Sequence, residues 1–151
     1  MGNVSAAIPA LNQMLEIKNT WLEGYIEIGH AQYKQGDYEK ALEAYLKAIR
    51  IANLSGQEVK DQLVFQRAGH IYIKLEKWED AKVMFLMCAE DYKTAFSHFN
   101  LGVACYNLGE YEEAERVLGL VNYLDPTNAD TWAYLALVLL KKDNPPLNAA
   151  Y

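Results

Sequence analysis

The sequence predicts an all-α fold, a right-handed superhelix of antiparallel helix hairpins, and three observations carry that prediction. A glycine recurs at Gly29, Gly69 and Gly102, at spacings of 40 and 33 residues. Behind each glycine, at +9, +12 and +16, stand an aromatic (Tyr38, Trp78, Tyr111), an alanine (Ala41, Ala81, Ala114) and a bulky side chain (Tyr45, Phe85, Leu118). Short polar joins at 34–37, 75–77 and 107–110 divide each unit in two, and joins of two to five residues make antiparallel helix pairs. One such pair cannot bury its apolar face alone, whereas stacked copies can.

The elements follow in order within one domain spanning 1–151. Residues 6–21 set Ile8, Leu11, Leu15 and Ile17 along one face and predict a helix ahead of the first hairpin. Repeat one occupies 22–55. Its glycine lies inside the first helix, where it costs about 1 kcal/mol against Ala, so its recurrence calls for a packing reason. Close approach of two helix backbones supplies one, with the alanine at +12 playing the same part on the second helix. Asp37 is placed to cap that second helix. The longer first spacing marks a six-residue insertion, and the turn-forming stretch Asn53–Glu58 accommodates it. Repeat two occupies 62–94 and repeat three 95–128, where Glu110, Glu112 and Glu113 favour the first turn of a helix through its dipole. Asp125-Pro126-Thr127-Asn128 breaks the chain before a partial fourth unit, 129–151, with Ala136 in the glycine column. Asn144-Pro145-Pro146 interrupts that unit, so a cut near a repeat boundary or a terminal cap is expected. Trp132, Leu135 and Leu139 are then partly uncovered, a surface for self-association.

Composition excludes several functions. The 151 residues carry 14 basic and 20 acidic side chains, a net charge of −6, with no cation run longer than Lys141-Lys142. That is no footprint for nucleic acid. The apolar stretch ending at Leu140 is far shorter than a membrane span. Met1–Ala6 resembles a myristoylation start but has Ala6 where Ser or Thr is needed, and no secretion signal follows. No nucleophile–base order, phosphate-binding loop or HExxH pattern is present, so the chain is read as no enzyme, with no cofactor. His30 and His70 share a column without further metal ligands and are expected to line a groove. His98, Cys88 and Cys105 fall in core columns, as a hydrogen-bonded imidazole and two buried free thiols. The run Glu110–Glu115 is read as a solvated face.

The repeat columns resemble the tetratricopeptide repeat (TPR). Repeat one offers Tyr25-x2-Ile28-Gly29 with Ala41-x3-Tyr45; repeat two, Phe65-x2-Ala68-Gly69-x2-Tyr72 with Ala81-x3-Phe85. Repeat three offers His98-x2-Leu101-Gly102, Ala114-x3-Leu118 and Pro126, and the partial unit Trp132-x2-Leu135-Ala136. The order of features over residues 24–142, most specifically Trp132–Val138, is similar to the C-terminal repeats of a cilia- and flagella-associated protein of the motile axoneme. What that resemblance implies is a scaffold in the ciliary motility machinery.

In this fold, binding is expected in a concave groove lined by first helices. Its side chains would be Ile26, His30, Tyr33 and Lys34 from repeat one, then Leu63, Gln66, His70, Ile73 and Lys74 from repeat two. Repeat three would add Phe96, Phe99, Val103, Tyr106 and Asn107. The lining is largely apolar and aromatic, suited to a partner helix or extended peptide. One TPR subclass grips the carboxylate of chaperone tails; its columns here hold Ile26, His30, Arg67, Phe96 and Asn100, which do not complete that clamp. Two readings remain: an axonemal scaffold, or a soluble cytosolic adaptor or co-chaperone that binds a peptide or helix. Both take proteins as partners, and neither nucleic acid nor membrane.

Overall fold

The computed structural model describes residues 4–17, 21–91 and 94–144; the parts of the expected elements at 18–20, 92–93 and 145–151 lie outside them. The described residues form eight helices and no strand: α1 (Val4–Ile17), α2 (Leu22–Lys34), α3 (Tyr38–Ser55), α4 (Gln62–Lys74), α5 (Trp78–Asp91), α6 (Ala95–Asn107), α7 (Tyr111–Leu124) and α8 (Ala129–Asp143). They divide into two compact units, Met1–Ile71 and Tyr72–Tyr151, with the boundary in the last turn of α4.

In unit one, α1 packs on α2 and α2 on α3. Ile8 and Leu11 of α1 cover Ile28 and Ala44, with Tyr25 beside them. The side chains of Leu15 and Ile17 lie outside the described residues. The glycine column has a different reason from the one expected. A Cβ on Gly29 would stand 2.6 Å from the Tyr45 ring, so the glycine makes room for the +16 side chain rather than for a second backbone. Tyr45 is fully buried as a result. Asp37 holds the N-cap position without a side-chain capping bond; its carboxylate pairs with Lys40 at 3.2 Å instead. The insertion is also not all turn. Helix α3 has 18 residues where α5 and α7 have 14, so four inserted residues lengthen the helix before Gly56, at φ 66°, ends it.

Unit two repeats the scheme with apolar contents. Helix α5 packs on α6, α6 on α7 and α7 on α8. A Cβ on Gly102 would meet Leu118 Cγ at 2.6 Å. Phe85, Leu118, Val121 and Val138 are fully buried, as are the +12 alanines Ala81 and Ala114. Cys88 and Cys105 are free and buried, and Cys88 Sγ lies 3.0 Å from Ser97 Oγ. The buried His98 ring donates from Nδ1 to the Thr94 carbonyl at 2.9 Å, so the core imidazole is satisfied within its own helix turn.

The joins share one backbone device. Gly36, Glu76 and Gly109 occupy the same column, seven residues after each helix glycine, and all three have positive φ (80°, 56° and 78°). In each, the next N–H reaches back over the turn: Asp37 to the Gln32 carbonyl, Lys77 to Tyr72 and Glu110 to Cys105, at 2.9–3.0 Å. A left-handed residue closing the last turn satisfies carbonyls that the helix end would otherwise leave open.

Candidate functional site

A polar network in unit one gathers side chains from three helices and one loop. His30 follows the helix glycine of α2 and therefore faces Tyr45, the side chain for which that glycine makes room. His30 Nδ1 lies 2.8 Å from Tyr45 Oη and 2.8 Å from Arg67 Nη1 of α4, and its Nε2 lies 2.8 Å from Asp61 Oδ2. A guanidinium can only donate, so Nδ1 accepts, and the ring proton sits on Nε2, directed at the carboxylate. Asp61 is itself fixed at the start of α4, where Oδ1 accepts from the Leu63 N–H at 3.0 Å. Burial pushes the Tyr45 phenol up to about 12, with Arg67 working in the opposite direction.

One turn along α2, Tyr33 extends the network. Its hydroxyl is 2.7 Å from His70 Nδ1, and the Arg67 guanidinium lies 4.8 Å from its ring centroid, a cation–π distance. The ring also meets Tyr38 edge-on at 5.3 Å. Burial and the neighbouring Tyr38 raise the Tyr33 pKa.

Of the side chains expected along the groove, unit one brings together His30, Tyr33 and His70, with Gln66 half-buried and Lys34 exposed. In unit two, Phe96 is 56% exposed, Lys74 and Asn107 are exposed, and Ile73 is half-buried. Phe99 and Tyr106 each meet Tyr134 of α8 edge-on at 5.7 Å, and Tyr106 continues to Tyr111. Ile26 and Val103 are nearly buried, at 9% and 7% exposure. Asp61, Tyr45 and Tyr134 were not expected in any site. Tyr45 did carry a signal: it places a hydroxyl in a core column that holds Phe or Leu elsewhere, and a buried phenol needs a partner. Among the described residues no cluster of three His, Cys, Asp or Glu is arranged for a metal, and no helix is long and apolar enough to cross a membrane.

The comparisons with known proteins converge on one fold. Among solved structures, YrrB, described as a TPR protein with an unusual peptide-binding site, superposes with a TM-score of 0.84 at 21% identity, covering 95% of this chain and 71% of that one. The first TPR of Spaghetti (RPAP3), bound to the HSP90 peptide SRMEEVD, gives 0.65 at 20% identity over 81% of this chain and 93% of that one. The human cilia- and flagella-associated protein 70 is 34% identical over 113 residues, 75% of this chain. The chain spans only 10% of that relative's length. A family model described as the cilia and flagella-associated protein 70 C-terminal domain matches residues 5–144. The chain therefore belongs to the family of that C-terminal domain and has the TPR fold.

Proposed function

We propose that the chain is a non-enzymatic protein-interaction module that holds partner proteins in the axoneme of motile cilia and flagella. The observation that carries this reading is the family match over nearly the whole chain, residues 5–144. The surfaces proposed for binding lie on first helices. Unit one offers His30, Tyr33, Lys34, Gln66 and His70; unit two offers Ile73, Lys74, Phe96, Phe99, Tyr106 and Asn107. Ile26 and Val103 belong to the same proposed lining and are nearly buried. Phe96, an aromatic left 56% exposed, has the character of an interface anchor. Self-association through α8 belongs to the same reading and rests on Trp132, Leu137, Leu139 and Leu140, which are 42–59% exposed on one helix.

The competing reading is a cytosolic adaptor or co-chaperone that takes a peptide. The RPAP3 domain in complex with an HSP90 peptide is its support. Against the carboxylate-gripping version stands Asp61, whose carboxylate already occupies His30 Nε2 at 2.8 Å, while Arg67 is engaged by His30 Nδ1 at 2.8 Å. An incoming carboxylate would meet a fixed one. Tagged chain expressed in cells with motile cilia separates the readings. Retention in detergent-extracted axonemes is expected, and a diffuse cytosolic signal that never enters the cilium would overturn the axonemal one. Proximity labelling from the retained protein would name the partners.

A further inference from the structure

The inserted loop of repeat one builds a cleft that the repeat pattern does not provide. After Gly56 turns the chain at φ 66°, residues 57–61 run back beside the first half of α2 and enclose about 460 Å³ within unit one. The floor is apolar: Leu22 and Ile26 from α2, and Val59 from the loop, each at most 9% exposed. Val59 anchors the loop by burial, and Asp61 ties down its end through His30 Nε2. Both walls are thus held, which limits the ordering cost of binding.

The rim is acidic. Glu23 and Glu27 stand one turn apart on the exposed side of α2, and Glu58 faces them from the loop. Like charges at i and i+4 destabilise an isolated helix. None of the three has an ion pair among the described residues. The acidic run Glu110–Glu115 is arranged oppositely: Glu110 pairs with Lys82, Glu113 with Arg116, and Glu112 and Glu115 with Lys142. Among the described residues Lys60 is the one cation lining the cleft, against Glu23, Glu27, Glu58 and the engaged Asp61.

We propose that this cleft docks a short basic–apolar segment of a partner protein, one Leu-sized side chain on the floor and Lys or Arg on either side against the carboxylates. The proposal rests on reading the chain as a protein-interaction module, and it names that partner's chemistry at one place. Apolar floor and carboxylate rim together select it. An acidic tail is repelled, a purely polar cationic segment leaves the floor empty, and an uncharged apolar one leaves the rim unmatched.

The test is fluorescence anisotropy of the whole chain with a labelled Lys-Lys-Leu-Lys-Lys peptide. Saturable, salt-sensitive binding is expected. It should weaken by about tenfold or more in the Glu23→Lys, Glu27→Lys, Glu58→Lys variant, and by less in the corresponding three-fold Gln variant, which guards against misfolding by charge reversal. A control with Glu39→Lys, Glu79→Lys and Asp143→Lys changes net charge equally at other exposed carboxylates and should bind like the original. Equal weakening in that control, unchanged affinity when Ser replaces the peptide Leu, or no binding of the peptide at all would each overturn the proposal. Axonemal retention, measured in parallel, keeps the two readings apart. A retained chain that does not bind the peptide refutes the cleft and leaves the module intact.

Discussion

Units one and two fill the same repeat columns with opposite chemistry. Behind its helix glycine, unit one places Tyr45, and beside that glycine His30; unit two places Leu118 and Val103. Both +16 side chains are fully buried, and both would collide at 2.6 Å with a Cβ on their glycine. The column thus specifies volume and leaves polarity open. Where a hydroxyl enters it, the adjoining positions turn polar with it: His30 and Arg67 meet the phenol, and Asp61 meets His30. Where a methyl-bearing side chain enters, the adjoining position is Val103, and no such network is present there among the described residues.

The largest expected effects break the shared feature. Leu118→Ala should cost about 2–5 kcal/mol in chemical denaturation, the usual range for a buried leucine. Gly102→Ala and Gly29→Ala should cost about 1–3 kcal/mol through overpacking, despite alanine's better helix propensity. Made in the Leu118→Ala background, Gly102→Ala should cost much less than alone. Strict additivity would mean that the glycine serves something other than the +16 side chain.

Alkaline titration sharpens the chemical contrast. Burial raises the Cys105 thiol from 9.0 to about 11 and the Tyr45 phenol from 10.0 to about 12. A group raised in the folded state contributes stability that is whole below its unfolded pKa and lost as pH climbs through the folded one. The window is therefore 9 to 11 for Cys105 in unit two and 10 to 12 for Tyr45 in unit one. Hydrogen exchange against pH should show amides around Cys105 losing protection first, and Cys105→Ala should delay that loss. Protection lost first around Tyr45 would reverse the assignment. Smaller still, Tyr45→Phe should cost about 1 kcal/mol at neutral pH, since His30 Nδ1 keeps Arg67 when the hydroxyl goes.

The smallest effect concerns the joins. Glu76 carries φ 56° where the other two repeats have glycine. A non-glycine residue in the left-handed region costs about 1–2 kcal/mol, partly offset by glycine's greater freedom in the unfolded chain. Glu76→Gly should therefore stabilise unit two by up to about 1 kcal/mol, read as a rise in denaturation midpoint; a fall would show that the Glu76 side chain contributes more than its backbone costs.

Much of the fold was legible because the repeat columns are core positions, and core positions recur. Ala41, Ala81 and Ala114 were picked by spacing alone, and each is fully buried. The three buried polar or thiol residues His98, Cys88 and Cys105 were legible for the same reason. The site was less so. Asp61 lies in the insertion, outside any column, and periodicity carries no signal there. Helical phase sets Ile26 and Val103 along a groove but carries no measure of how deeply neighbouring segments cover them, and both are nearly buried. The four-residue extension of α3 was hidden because Asn53 and Ser55 favour turns, and both are exposed in the lengthened helix, so no core column marks them.

The insertion has a last consequence, for how such arrays diversify. In a stack where each hairpin leans only on its neighbours, lengthening one connection adds little closure entropy, because that cost grows only with the logarithm of loop length. Residues 56–61 are therefore tolerated by the scaffold, and what they build depends on the host repeat. Transplanted after Asp91, between α5 and α6, the segment would be expected to leave the scaffold standing without the apolar floor, because the columns of Leu22 and Ile26 hold Gln62 and Gln66 there. Selection can thus vary what one repeat recognises without renegotiating the stability of the rest.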